Sequence, residues 1–122
     1  KSQSEGGRGG AYFTRVRGWC SRGMAWRQAQ PKPIMAEVAA TATAAGCQLA
    51  ASCDLAVASH EASFATPGVH IGLFCSTPMV ALSRKVAPKH AMEMLLTGDP
   101  CPADRAAEIG LVNYAVLDAP SE

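Results

Sequence analysis

Four small residues, Ala42, Ala44, Ala45 and Gly46, lead into the short apolar stretch Cys47-Gln48-Leu49-Ala50-Ala51-Ser52, and a second stretch, Phe64-Ala65-Thr66-Pro67-Gly68, ends in a turn. Small residues at a strand-to-helix junction let another group approach the backbone closely, and the first N–H groups of a helix have no partner inside it. Such a junction can hold an anion or a polarised carbonyl oxygen, although the same residues also serve tight helix-on-sheet packing. The side chains beside it are poor in acid–base capacity. Gln48 can orient a water but cannot take its proton near neutral pH, and Gly68 has no side chain at all.

No other group substitutes for them convincingly. Glu37 is expected in a strand ahead of the junction and Glu61 in a polar loop, both as solvated charges. His60, His70 and His90 are dispersed, with His70 the most noticeable because it follows Gly68 by two residues. Ser76 with His70 and Asp99 makes no triad, since no nucleophile elbow surrounds the serine. The five cysteines, at positions 20, 47, 53, 75 and 101, form no CxxC pair and suit reduced, mostly buried thiols. No metal site is expected.

Alternating short strands and helices position these residues. Pro31-Lys32-Pro33 fixes an extended lead-in. A strand over Ile34–Val38, a helix over Ala45–Ser52 and a strand over Leu55–Ala58 give a βαβ unit, hence an α/β fold. Phe64 and Ala65 add a short strand, and Ile71–Leu73 another. Thr77-Pro78 opens a helix as cap and first helical residue, with Met79, Val80, Leu82, Ser83 and Val86 turned inward. Pro88 starts the next, with Ala91, Met92, Leu95 and Leu96 inward, and Gly98 ends it. Pro102–Glu108 forms a third helix closed by Gly110, and Leu111–Val116 a final strand.

The net charge of +1 hides an asymmetry: residues 1–30 carry six Lys or Arg against Glu5 alone, and residues 31–122 carry five against nine acids. Six of the eleven glycines fall in the first 23 residues. This Gly-rich basic leader, residues 1–30, is expected to be irregular and disordered. Its composition also fits the remnant of a mitochondrial transit peptide. A nucleic-acid role would rest on this leader alone, and none is expected. No apolar run is long enough to span a bilayer.

Several separate strings fall in a familiar order: Pro33-Ile34-Met35-Ala36, Ala44-Ala45-Gly46-Cys47, Cys53-Asp54-Leu55-Ala56, Phe64-Ala65-Thr66-Pro67, Leu95-Leu96-Thr97-Gly98-Asp99 and Ala106-Ala107-Glu108-Ile109-Gly110-Leu111-Val112. From residue 31 to about 117 the chain resembles the enoyl-CoA hydratase/isomerase (crotonase) family. Its version of the site, Thr43-Ala44-Ala45-Gly46-Cys47-Gln48-Leu49 with Leu73-Phe74-Cys75-Ser76-Thr77-Pro78, is similar to a mitochondrial branch of that family.

The resemblance implies a partial crotonase-type β-α superhelix over residues 31–117, followed by a tail at 118–122. It implies an oxyanion hole of two backbone N–H groups for the oxygen of an acyl-CoA thioester, where negative charge grows as an enolate forms. Ala45 falls at the second donor, and Gly46, Pro67, Leu73, Phe74 and Cys75 fall along the substrate site. The first donor belongs to an upstream loop with no match in residues 1–30. Coenzyme A enters only as part of the substrate or ligand, with no further cofactor and no metal, and family members assemble as trimers. Family hydratases carry catalytic glutamates at the positions of Gln48 and Gly68. Further departures are Ala39-Ala40 for an Asn-Gly turn and Pro102 for a helix-starting serine.

The expected function is therefore acyl-CoA (enoyl-CoA) binding linked to mitochondrial fatty-acid metabolism, with little or no hydratase activity. The alternative is a non-catalytic partial chain that acts by associating with full-length crotonase-family subunits. A partial superhelix would expose strand edges and apolar faces.

Overall fold

The computed structural model describes residues 22–117 together with Arg15 and Gly18. The chain divides into two compact units, Lys1–Pro31 and Lys32–Glu122. In the first, residues 22–28 are helical, which corrects the irregular leader at that point. The cause is local: the glycines stop at Gly23, and Met24, Ala25, Arg27 and Gln28 are good helix formers. Gln30 Nε2 adds a hydrogen bond of 2.9 Å to the Trp26 carbonyl. Residues 1–14, 16, 17 and 19–21 of the leader and the tail at 118–122 lie outside the described residues.

The second unit contains strands β1 (Met35–Val38), β2 (Thr41–Thr43), β3 (Leu55–Ser59), β4 (Ser63–Ala65), β5 (Cys101–Pro102) and β6 (Tyr114–Val116). Its α-helices are α1 (Ala45–Ser52), α2 (Ser76–Lys85), α3 (Pro88–Thr97) and α4 (Ala103–Glu108). β1, β3 and β6 form a parallel sheet with β3 central, and β2, β4 and β5 form a second, in which β2–β4 is parallel and β4–β5 antiparallel. The expected βαβ unit is present, since α1 lies on the connection between the parallel strands β1 and β3. Between them the chain also visits the other sheet as β2, whose three residues become a strand only through their distant partner β4.

Two side chains set the strand starts. Asp54 Oδ2 accepts the Ile34 N–H at 2.8 Å while the Ile34 carbonyl accepts the Asp54 N–H, which brings β1 to the start of β3. Asn113 repeats the device at β6: its Oδ1 accepts the Ala56 N–H at 2.9 Å and its own N–H donates to the Ala56 carbonyl at 2.7 Å. Core volume comes from Phe64, Leu82 and Leu95, each fully buried, set among alanines that let α1 pack closely on α2.

Five details differ from the sequence expectation. Ile71–Leu73 is not a strand: Pro67–Ile71 is a 3-10 turn, ended by Gly72 in the left-handed conformation. Helix α2 begins at Ser76 with Cys75 as its cap, so Pro78 is the third helical residue, where its missing N–H is still one of the unpaired first-turn donors. The inward face of α2 is Pro78, Ala81 and Leu82, followed by Val86, whereas Val80 and Ser83 are exposed. On α3 it is Ala91, Met94 and Leu95, with Met92 and Leu96 outward. The closing strand shrinks to β6, and Leu111 and Val112 are buried in the loop before it.

Candidate functional site

β2 and β4 run parallel with Thr43 level with Ala65, so the two strands end side by side. Ala44 N–H donates to the Ala65 carbonyl at 2.9 Å and carries the pairing one residue further. At that shared carboxyl end β2 turns into α1 and β4 turns into the 3-10 turn. The two strings singled out in the sequence, Ala44–Gln48 and Thr66–Gly68, thus leave one sheet edge together.

Ala44 is the cap of α1 and adopts φ 47°, ψ −109°, the sole positive φ at a non-glycine position among the described residues. For an L-residue this costs about 1–3 kcal/mol and persists only when its surroundings dictate it. They do so here: the N–H is held by Ala65, and the carbonyl accepts the Gln48 N–H at 2.9 Å. The turn exposes Ala44, Ala45 and Gly46. Ala45 opens α1, so its N–H has no acceptor within the helix and sits at the positive end of the helix dipole. Gln48, three residues on and half-buried, lies on the same side one turn along. Nothing in an alanine signals the strained turn, and sequence alone did not reveal it.

The second wall is the loop from Pro67 to Cys75. The Leu73 N–H donates to the Gly68 carbonyl at 2.8 Å and the Gly72 N–H to the Val69 carbonyl at 3.1 Å, closing the loop on itself. Leu73 and Phe74 present their side chains outward, and Cys75 is half-buried against the core. Thr66, fully buried, donates through Oγ1 to the Met94 carbonyl at 2.9 Å. His70 Nε2 lies 2.8 Å from the Thr97 carbonyl; a carbonyl only accepts, so Nε2 carries the proton. His70 therefore fastens the loop to the end of α3 through Nε2.

The other titratable groups are engaged elsewhere. His60 Nδ1 pairs with Asp104 Oδ1 at 2.8 Å, and His90 Nδ1 is 3.4 Å from an Arg105 nitrogen. Glu37 stands on β1 in the other sheet, and Glu61 is exposed in the turn before β4. Neither acid is on the strands that end at Ala44 and Thr66. Behind the site, burial pushes the Cys47 thiol up to about 12, with the neighbouring Cys101 and Cys75 adding to the shift. Cys101 is raised by its own burial, against the opposing pull of Arg105. Among the described residues no cluster of three His, Cys, Asp or Glu could hold a metal ion, and no helix is long and apolar enough to cross a membrane.

The family described as enoyl-CoA hydratase/isomerase matches residues 21–120. The chain belongs to that family. It is 55% identical over 111 residues to the rat mitochondrial enoyl-CoA hydratase domain-containing protein 3, covering 91% of this chain and 37% of that protein. The solved structure of the human protein of that name superposes with a TM-score of 0.84 at 53% identity, covering 90% of this chain and 44% of that one. A crotonyl-CoA hydratase from Syntrophomonas wolfei is 40% identical over 92 residues, covering 73% of this chain and 35% of that protein. The chain thus spans little more than a third of the length of the curated relatives it matches. The α/β crotonase fold expected from the sequence is the fold of these neighbours. The expected mitochondrial location is that of the rat and human relatives.

Proposed function

We propose that this chain binds an acyl-CoA thioester, in mitochondrial fatty-acid metabolism, and has little or no hydratase activity. The observation that carries the proposal is the paired ending of β2 and β4, which brings the free Ala45 N–H, Gln48 and Gly68 to one edge with no carboxylate among them. Ala45 N–H donates to the thioester oxygen, Gly46 and Pro67 keep the approach narrow, and Leu73, Phe74 and Cys75 form the acyl wall. The thioester brings its own coenzyme A, so no separate cofactor is required. Gln48 orients a water and leaves its proton in place. Each missing acid–base group costs about 10²- to 10⁴-fold in rate.

Thermal unfolding followed by circular dichroism, with and without excess crotonyl-CoA, tests the binding, because a ligand of the folded state alone raises the midpoint. The expected result is a raised midpoint that Ala45→Pro abolishes, with no hydration of crotonyl-CoA above the buffer rate. Proline at the first helical position removes the donor, and because it also restricts Ala44 before it, which stands at φ 47°, the ligand-free midpoint of the variant is read alongside to separate loss of the donor from loss of the turn. A midpoint indifferent to crotonyl-CoA would sink the proposal.

A second reading, in which the chain acts by joining trimer-type assemblies with longer subunits of the family, is favoured by one observation. One face of the β1–β3–β6 sheet carries Met35, Leu55, Tyr114 and Val116, all exposed. Co-purification with a full-length relative, without any thioester shift, would select this reading.

A further inference from the structure

We infer that the Leu73 carbonyl and the Cys75 thiol are the specificity determinants that hold position 68 shut to any side chain. The inference rests on the thioester reading above and names what fixes its reaction specificity. A Cβ placed on Gly68 would lie 2.7 Å from the Leu73 oxygen and 2.8 Å from Cys75 Sγ, closer than real Cβ contacts come. Gly68 is not among the residues with positive φ. Space, and not backbone conformation, is what demands glycine there.

Neither obstacle moves easily. The Leu73 carbonyl belongs to the loop that closes on Gly68 itself, through the 2.8 Å bond from the Leu73 N–H to the Gly68 carbonyl and the left-handed turn at Gly72. Cys75 is the cap residue of α2, half-buried and packed on the core. Loss of the second acid is thus built into the loop. Returning glutamate to positions 48 and 68 alone does not rebuild an acid–base pair, because a side chain at 68 displaces the wall that would face the acyl group. A change at residue 75 removes the side-chain half of the obstruction and leaves the Leu73 carbonyl, 2.7 Å from the new Cβ, in place.

The smallest probe is Gly68→Ala in the full chain, made with Cys75 unchanged, with Cys75→Ser and with Cys75→Gly. Thermal midpoints are read for each, alone and with excess crotonyl-CoA. With Cys75 present, Gly68→Ala lowers the midpoint by about 4 °C or more and reduces the crotonyl-CoA shift. Cys75→Ser retains most of that drop, whereas Cys75→Gly recovers part of it and part of the shift, the remainder being the Leu73 carbonyl still 2.7 Å from the new Cβ. Equal drops in the Cys75 and Cys75→Gly backgrounds, or none in either, would overturn the inference. Failure of both to fold would overturn the role of Cys75. Folding of the double variant alone would support it. A drop relieved by Cys75→Gly in a chain with no crotonyl-CoA shift would refute the thioester reading and leave the closure of position 68 standing.

Discussion

At the scale of single residues, the chemistry of the site is set by what burial and backbone geometry permit. Cys47 lies directly before Gln48 and is fully buried, so its thiolate is disfavoured and its pKa rises from 9.0 to about 12. In the unfolded chain the same thiol ionises near 9.0, so above that pH the unfolded state has lost a proton that the folded state keeps. Stability from this group is full below pH 9 and falls by about 1.4 kcal/mol per pH unit towards pH 12. Urea titrations across this range should show a shallower alkaline decline for Cys47→Ala than for the unaltered chain; parallel declines would mean that the thiol ionises freely when folded. The residue types were legible in the sequence, and the parallel pairing of β2 with β4 puts the small residues, Gln48 and Gly68 just beyond one shared sheet end. The strain at Ala44 was not legible, because it arises from hydrogen bonds to Ala65 and Gln48 and from nothing in alanine itself.

Elements were legible where the signal is local. Helix α1 begins at Ala45 and ends at Ser52 as its small-to-apolar pattern implies, and α3 runs from its proline to its glycine. Strand β2 and the 3-10 turn escaped notice because each depends on a distant partner, β4 for one and the end of α3 for the other. That second dependence makes Gly98 a test of how the loop is held. Gly98 has φ 67°, and a Cβ there would meet Val69 Cγ2 at 2.8 Å and His70 Nε2 at 2.9 Å. Gly98→Ala combines an unfavourable φ with crowding at the loop anchor, for a cost of about 2–4 kcal/mol. Its crotonyl-CoA shift should also shrink, since His70 must leave Thr97 and the Leu73–Cys75 wall follows. Full stability in Gly98→Ala would show that the loop does not need this contact.

Over the whole second unit, the site and the uncovered apolar surface fall on different sheets. The edge that carries Ala45 and Gly68 belongs to β2–β4–β5, whereas the exposed Met35, Leu55, Tyr114 and Val116 share one face of β1–β3–β6. A parallel sheet is ordinarily covered on both faces; here the face of Ala56 and Ala58 is buried, whereas on the opposite face Met35, Leu55, Tyr114 and Val116 are exposed beside Glu37 among the described residues. β1 and β6 also leave their outer edges without a strand partner among the described residues. An apolar face beside open edges favours association, and charge placed on it should oppose association without disturbing the core. Sedimentation velocity over a concentration series should therefore show self-association that the pair Tyr114→Lys and Val116→Lys weakens. Both side chains are exposed, 67% and 42%, so the thermal midpoint of the dilute chain should change little. The crotonyl-CoA shift should survive, because neither residue lies on the sheet that ends at the site. Loss of that shift together with association would mean that the thioester site is completed only between copies.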